Sequence, residues 1–326
     1  MALDKGHKEA DKQLRNVQKR LKKEYQKAYA EMKEKTDAWL EQFRRKEADM
    51  LSKLRAGEIT HKEFIEFREH YMMTSRQMKG ICTELGNTLT DYNERATAII
   101  NGHARSVFVN NYNYGAYEVC KGTGTNIAFH LVDEKTVDRL LGDNVKLLPQ
   151  VDLDKVKDKR WNMQKVQSAL TQGILQGDSI GNISKRLQQV TNMTDKAAVR
   201  NARTMTTSAE NGGRQAVYEE AEAMGIELEK TWVATLDDRT RDSHVELDGQ
   251  TIPVDQKFKN ADGELMFPAD PDGTPENVYN CRCTMITSIK GHKRDLSGRA
   301  MGPSLGNWSY ETWKKNAMEQ IEARKK

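Results

Sequence analysis

Cysteine and proline are scarce in this chain, with four and six in 326 residues. Cys82, Cys120, Cys281 and Cys283 are too few and too unevenly spaced for a disulfide scaffold. A bond between Cys281 and Cys283 would close over one residue under strain, so reduced thiols and synthesis in the cytosol are expected. Hydrophobic residues are also few: 37% against 31% charged, with a mean hydropathy of −0.82. That balance argues against one large globule and suits long solvated helices around small cores. No apolar run approaches the ~18 residues of a membrane span, and the charged start has no apolar leader core. No membrane partner is expected.

What is present is charge, unevenly placed. The net charge is only +4, yet residues 1–56 hold 16 Lys and Arg against 10 Asp and Glu. The tail after Ile289 is basic as well. A solvated helix face explains such a stretch, and so does contact with nucleic acid or an acidic partner.

Residues 1–56 carry apolar positions at helical steps: Leu14, Val17, Leu21, Ala28 and Met32, then Trp39, Phe43, Met50 and Leu54. This is a long basic amphipathic helix or a helical hairpin. Its narrow, coiled-coil-like seam needs a partner helix, in this chain or another protein. Thr60 with Glu63 reads as a capping box that opens a second helical region, 57–150. Helix is expected to about Tyr114, with 120–126 as a loop and a short helix over 133–141. The tyrosine-rich end at 107–117 reads as core packing rather than a stacking surface for bases.

From 151 to 290 the pattern changes twice. Helices with Trp161, Leu170 and Ile174, then Ile183 and Leu187, precede one that Thr194 should cap and Gly225 should end. Period-two alternation then begins at Ile226 and passes through Trp232. Four of the six prolines lie between Trp232 and Cys283. Asp242 should cap a turn holding His244. The Asp248-Gly249 and Asp262-Gly263 pairs mark hairpins, and 268–275 reads as an extended loop. Asn280 to Ile286 should be a final strand. Residues 291–326 form a basic tail with a short helix. The fold class expected is α+β: long helices first, then a small mixed domain of short strands and Pro/Gly-rich loops.

One constellation carries chemistry. His244, Cys281 and Cys283 supply an imidazole and two thiolates, the donor set that suits zinc, with Asp237 or Asp242 as a fourth ligand. Against this, Cys-x-Cys is a poorer ligand spacing than Cys-x-x-Cys, because same-face residues on a strand sit ~7 Å apart. The alternative is a polar network in which Arg239, Arg241 and Arg282 pair with Asp237, Asp238 and Asp248. There His244 bonds backbone and the cysteines simply pack.

These residues also fall in a recognisable order: Ala202-Arg203-Thr204, Trp232, Asp237-Asp238-Arg239-Thr240, His244, Leu247-Asp248-Gly249, Phe267-Pro268, Asp270-Pro271 and Asn280-Cys281-Arg282-Cys283. The order resembles the Mu-F-type phage head morphogenesis proteins, the minor head proteins of tailed phages, over about residues 165–290. The resemblance implies a structural protein rather than an enzyme, made in the host cytoplasm and carried in the virion, in the capsid interior at the portal vertex. It implies the portal protein and major capsid or scaffold proteins as partners, packaged DNA as a non-specific contact, and a role in head morphogenesis and DNA packaging or ejection. Two other classes stay open. One is a metal-dependent nuclease or transferase at the Asp/His/Cys cluster; the other is a host-side DNA-binding protein.

Overall fold

The computed structural model describes residues 4–73, 76–124, 129, 148, 150–290 and 308–324. The expected helix at 133–141 lies outside them. The architecture is the expected α+β one: long helices followed by short antiparallel strands.

Of the helix and hairpin that the first pattern admits, the structure has the helix: α1 runs unbroken over Lys5–Arg55. It stops where Gly57 takes φ +77°. Gly57 N donates to Leu54 O at 3.1 Å and Glu58 N to Lys53 O at 2.9 Å, closing the last turn. The capping box then starts α2 (His61–Met73), with Glu63 N on Thr60 Oγ1 at 3.2 Å and Thr60 N on Glu63 Oε2 at 2.6 Å. Helix α3 (Arg76–Thr123) continues past Tyr114 through Cys120, where a loop was expected. Helix α4 (Lys155–Leu175) is capped by Asp154, whose carboxylate accepts from Lys157 N, and ends at Gly177, φ +70°.

Helix α5 corrects the sequence reading. It spans Ile180–Ala223 without a break, and Thr194 lies inside it rather than capping it. The Thr194 hydroxyl turns back onto Val190 O at 3.1 Å, so it satisfies itself within the helix instead of starting one. Gly225 ends the helix as expected, at φ +85°, with Ile226 N on Ala221 O.

The chain divides into two compact units. One comprises Lys19–Ile99 and Asp152–Val199 and is wholly helical. Its core buries the α1 seam (Leu21, Tyr25, Met32, Leu40, Phe43) with Leu85 and Leu89 of α3, Leu170 and Ile174 of α4, and Ile183 and Leu187 of α5. The seam therefore finds its partner helices in its own chain. Each such side chain contributes about 1.5–3 kcal/mol. Polar bonds fix the register: Tyr25 Oη donates to Asn93 Oδ1 at 2.9 Å, and Asn93 Nδ2 reaches both Asp158 oxygens at 3.0 Å.

The other unit comprises Met1–Gln18, Ile100–Val151 and Arg200–Lys326. Here α3 and α5 approach closely at Gly213, where a Cβ would lie 2.5 Å from Phe108 O. The small residues of α5 serve that approach. The strands are β1 (Leu228–Val233), β2 (Thr251–Pro253), β3 (Phe258–Asn260), β4 (Gly263–Leu265) and β5 (Thr284–Ile289). An antiparallel sheet has the order β2-β1-β5, with Trp232 opposite Met285; β3 and β4 form a separate hairpin. Two short helices interrupt the strands, α6 (Asp242–Val245) and α7 (Pro275–Val278). Helix α6 corrects the expected cap: Arg241 holds the N-cap position and Asp242 is the first helical residue. Helix α7 lies where only loop was expected, because Pro275 fits the first helical turn, where its missing N–H is not needed. The last helix, α8 (Tyr310–Arg324), packs Tyr310 edge-on against Tyr114 and Tyr117 of α3 and the buried Trp313 against Tyr117. The tyrosine-rich segment is core, as its sequence suggested.

Candidate metal centre

The second unit buries the two cysteines of the Asn280-Cys281-Arg282-Cys283 segment, but not on a strand. Strand β5 starts only at Thr284. Asn280 adopts φ +59°, turning the chain just ahead of Cys281. With no ladder partner, the backbone of this segment takes its bonds from side chains on one face of α5. Thr204 Oγ1 accepts from Asn280 N at 3.0 Å, and Thr207 Oγ1 donates to Cys281 O at 2.7 Å. Asn211 Nδ2 donates to Cys283 O at 3.2 Å, and its Oδ1 accepts from Met285 N at 3.0 Å. Arg203 Nη1 reaches Asn280 Oδ1 at 3.2 Å, and Thr235 Oγ1 bonds Arg282 O at 2.7 Å. Helical spacing puts 203, 204, 207 and 211 side by side, so the helix acts as a template for the cysteine turn.

The consequence is a correction in geometry. On a strand the two sulfurs would stand ~7 Å apart. On this turn Cys281 Sγ, Cys283 Sγ and a His244 ring nitrogen all lie within 4.8 Å of one another. His244 Nδ1 is 3.7 Å from Cys281 Sγ and 3.5 Å from Cys283 Sγ. All three residues are buried. Among the described residues this is the one group of three or more His, Cys, Asp or Glu arranged to hold an ion.

The protonation pattern of the imidazole follows from its neighbours. Asn260 Oδ1 accepts from Asp262 N at 3.0 Å, and its Nδ2 donates to Ser243 O at 3.2 Å, which fixes that amide. Asn260 Nδ2 also donates to Asn277 Oδ1 at 2.9 Å, so Asn277 presents oxygen on this side. His244 Nε2 lies 3.3 Å from that same oxygen. An amide oxygen only accepts, so Nε2 carries the proton and Nδ1 turns its lone pair toward the sulfurs. Trp232 packs its ring edge-on at 5.6 Å from the imidazole and against Phe258 at 5.2 Å.

The sulfurs themselves are polarised. The Cys281 thiol is pushed well above its ordinary pKa, first by its hydrogen bond with Cys283 and then by burial. Cys283 is driven well below its ordinary value by the same bond, against the effect of burial. The two sulfurs are thus unequal, and Cys283 N adds a donor to Cys281 Sγ at 3.4 Å.

The remaining site residues divide. Asp237 stands apart from the sulfur group: Arg282 clasps its carboxylate at 2.5 and 2.6 Å, and Arg239 approaches at 3.5 Å. The Arg282 bond and the Asp237–Thr240 turn hold this carboxyl well below the usual range. Arg241 donates to the carbonyl of Tyr279 rather than to a carboxylate. Asp248 accepts from Ala234 N at 2.8 Å, steadying the turn in which Gly249 takes φ +79° and bonds Trp232 O. Asp238 and Asp242 are exposed.

Residues 164–286 match the family of Phage Mu protein F like proteins. The resemblance carried by the motifs therefore holds, and the matched span contains both the α5 template and the cysteine turn. Minor head protein GP7 of Bacillus phage SPP1 is 26% identical over 285 residues, 87% of each chain. NAD(+)--arginine ADP-ribosyltransferase EFV of Enterococcus faecalis is 32% identical over 168 residues, half of this chain but only 34% of that protein. An uncharacterized protein of Haemophilus influenzae is 26% identical over 210 residues, 42% of its length. No solved structure matches.

Sequence reasoning missed a second buried cluster in the same unit. Arg214, fully buried, bonds Asp4 through Nη1 at 2.9 Å and Nη2 at 2.7 Å, and donates to Met285 O at 2.8 Å. Glu210 accepts from His7 at 2.9 Å and from Thr284 Oγ1 at 2.7 Å. These four charges join the start of α1 to α5 and β5. The one available signal was an acid and an arginine at 210 and 214, one turn apart on an otherwise small-residue face.

Proposed function

We propose that this chain is a structural minor head protein of a tailed phage, carried inside the capsid and docked to the portal protein, where it aids head morphogenesis. The observation that carries this reading is the similarity to Minor head protein GP7 across 87% of both chains, reinforced by the Mu F match at the cysteine turn. A relation that covers nearly the whole length of both proteins speaks to the whole molecule. The likeness to the ADP-ribosyltransferase covers a third of that enzyme and leaves most of it without a counterpart in the alignment.

The build fits a structural part. Long helices hold their apolar seams inside the chain and offer charged faces outward, and the small sheet unit is fixed by polar bonds. No helix among the described residues is long and apolar enough to cross a membrane. A groove of about 480 Å³ is edged by Lys5, Lys8, Lys12, Arg15 and Lys314 against Glu9 and Glu311. That basic edge supports a non-specific contact with packaged DNA, an attraction that salt would weaken.

The test is peptide mass spectrometry of purified phage particles, coupled to co-purification with the portal protein. Recovery of the chain from DNA-filled heads, in a complex with portal protein, is the expected result. Absence from particles, or ADP-ribosylation of arginine substrates by the purified chain, would overturn the structural reading.

A further inference from the structure

We propose that His244, Cys281 and Cys283 bind one zinc ion through Nδ1 and the two sulfurs, and that a water completes its coordination. Zinc–sulfur bonds of about 2.3 Å and zinc–nitrogen bonds of about 2.0–2.1 Å at tetrahedral angles require sulfur-to-nitrogen edges of roughly 3.6 Å. The two edges here are 3.7 and 3.5 Å. Two of the three edges among these donors, which come from stretches 37 and 39 residues apart, thus match one coordination tetrahedron.

Three further features point the same way. The Asn260–Asn277 pair commits Nε2 to carrying the proton and leaves Nδ1 free to ligate, the outer partner that a metal-bound histidine needs. The α5 side chains hold the cysteine turn in a shape no strand would give. A cavity of about 20 Å³ opens on the three donors, lined also by Arg239, Arg241 and Arg282. It has room for about one water, which places the fourth ligand. Asp237 does not fill that position, because Arg282 occupies its carboxylate. On binding, the thiol protons leave to solvent and two thiolates neutralise the dication. The ion then clips helix α6 to the segment entering β5, a structural role in a unit whose strands are short. This inference stands apart from the phage reading: zinc can be present or absent whichever particle the chain enters.

The experiment uses the full chain. Elemental analysis after exhaustive dialysis should find about one zinc per chain. Replacement by cobalt(II) should give thiolate-to-cobalt charge-transfer absorption with the strong visible bands of a tetrahedral site. Cys281→Ser, Cys283→Ser and His244→Ala should each lose the metal, Asp237→Asn should keep it, and Asn277→Leu should weaken it by about 10–100-fold. A second measurement protects against variants that fail to fold. In the wild-type chain, removing zinc with a chelator should raise alkylation of Cys281 and Cys283, read peptide by peptide. Zinc content no higher than in a Cys281→Ser/Cys283→Ser double variant overturns the proposal. So do a cobalt spectrum without charge transfer, copper or iron in place of zinc, and alkylation unchanged by the chelator.

Discussion

Arg214 and Asp4 form a two-pronged ion pair across 210 residues of sequence, with the guanidinium wholly out of solvent. A charge in that position is tolerable only while its partners stay. Arg214→Met should therefore destabilise the chain by about 3–5 kcal/mol, because Asp4 is left without its cation and Glu210 keeps only His7. Asp4→Asn should cost less, since the Asp4 side chain keeps 14% exposure and Glu210 remains beside Arg214 at 3.6 Å. Urea unfolding of the two variants against the parent measures both. Equal midpoints for all three would refute the account.

The His7–Glu210 contact makes stability depend on pH. Burial alone would lower the His7 pKa, but the adjacent Glu210 carboxylate outweighs it and lifts the value from 6.5 to about 9. A raised folded pKa means the contribution is fully present below pH 6.5 and is lost as pH rises toward 9. The amount is on the order of 3 kcal/mol. Lys230 works in the opposite sense. Burial lowers its pKa from 10.5 to about 8, against the pull of Glu219 and other acids. Its cost is full below pH 8 and fades toward pH 10.5. Melting curves should thus show stability falling from pH 6.5, then partly recovering above 9. In His7→Gln the fall between 6.5 and 9 should vanish.

Two glycines in long helices should respond oppositely to alanine. At Gly213 a methyl group would meet Phe108 O at 2.5 Å and Tyr112 N at 3.0 Å, both backbone. Gly213→Ala should cost about 1–3 kcal/mol through forced separation of α3 and α5. Gly102 has nothing within 4 Å of the same position. Gly102→Ala should gain up to about 1 kcal/mol from helix propensity. A stabilising Gly213→Ala would show that the helices can part without loss.

The C-terminal helix should detach when its aromatic anchor is removed. Trp313 is 1% exposed and meets Tyr117 with ring centres 5.8 Å apart. Trp313→Ala should cost about 3–5 kcal/mol of local stability and speed amide exchange over 310–324. Exchange in β1 and β5 should stay as in the parent.

What the sequence revealed depended on how local each cause was. The Thr60–Glu63 box and the glycine at 225 were legible, because each acts within a few residues of itself. The seam of α1 was legible as a seam, but its continuity was not, since phase shifts in an apolar stripe look like a turn. Thr194 misled because a threonine that caps a helix and one that bonds backward inside it share the same neighbours. His244, Cys281 and Cys283 could be named as a donor set from residue type alone. Their separation could not be read, because strand alternation was assumed where Thr204, Thr207 and Asn211 impose a turn from another element. Asn260 and Asn277 carried no signal: an amide's role lies in which way it faces. Asp4 and His7 looked like solvated charges on a basic helix, and only the fold brought them to Glu210 and Arg214.

The α5 template also sets an order of events. Its bonds to the cysteine turn close loops of 72 to 77 residues. Contacts that distant form late, after nearby structure has repaid the cost of closure. Until then Cys281 and Cys283 belong to a slack chain with sulfurs at no set distance, poorly suited to seize a metal. The sulfur pair is thus assembled only when the rest of the unit is in place, which makes its geometry a marker of completed folding and puts the proposed zinc site late in that order.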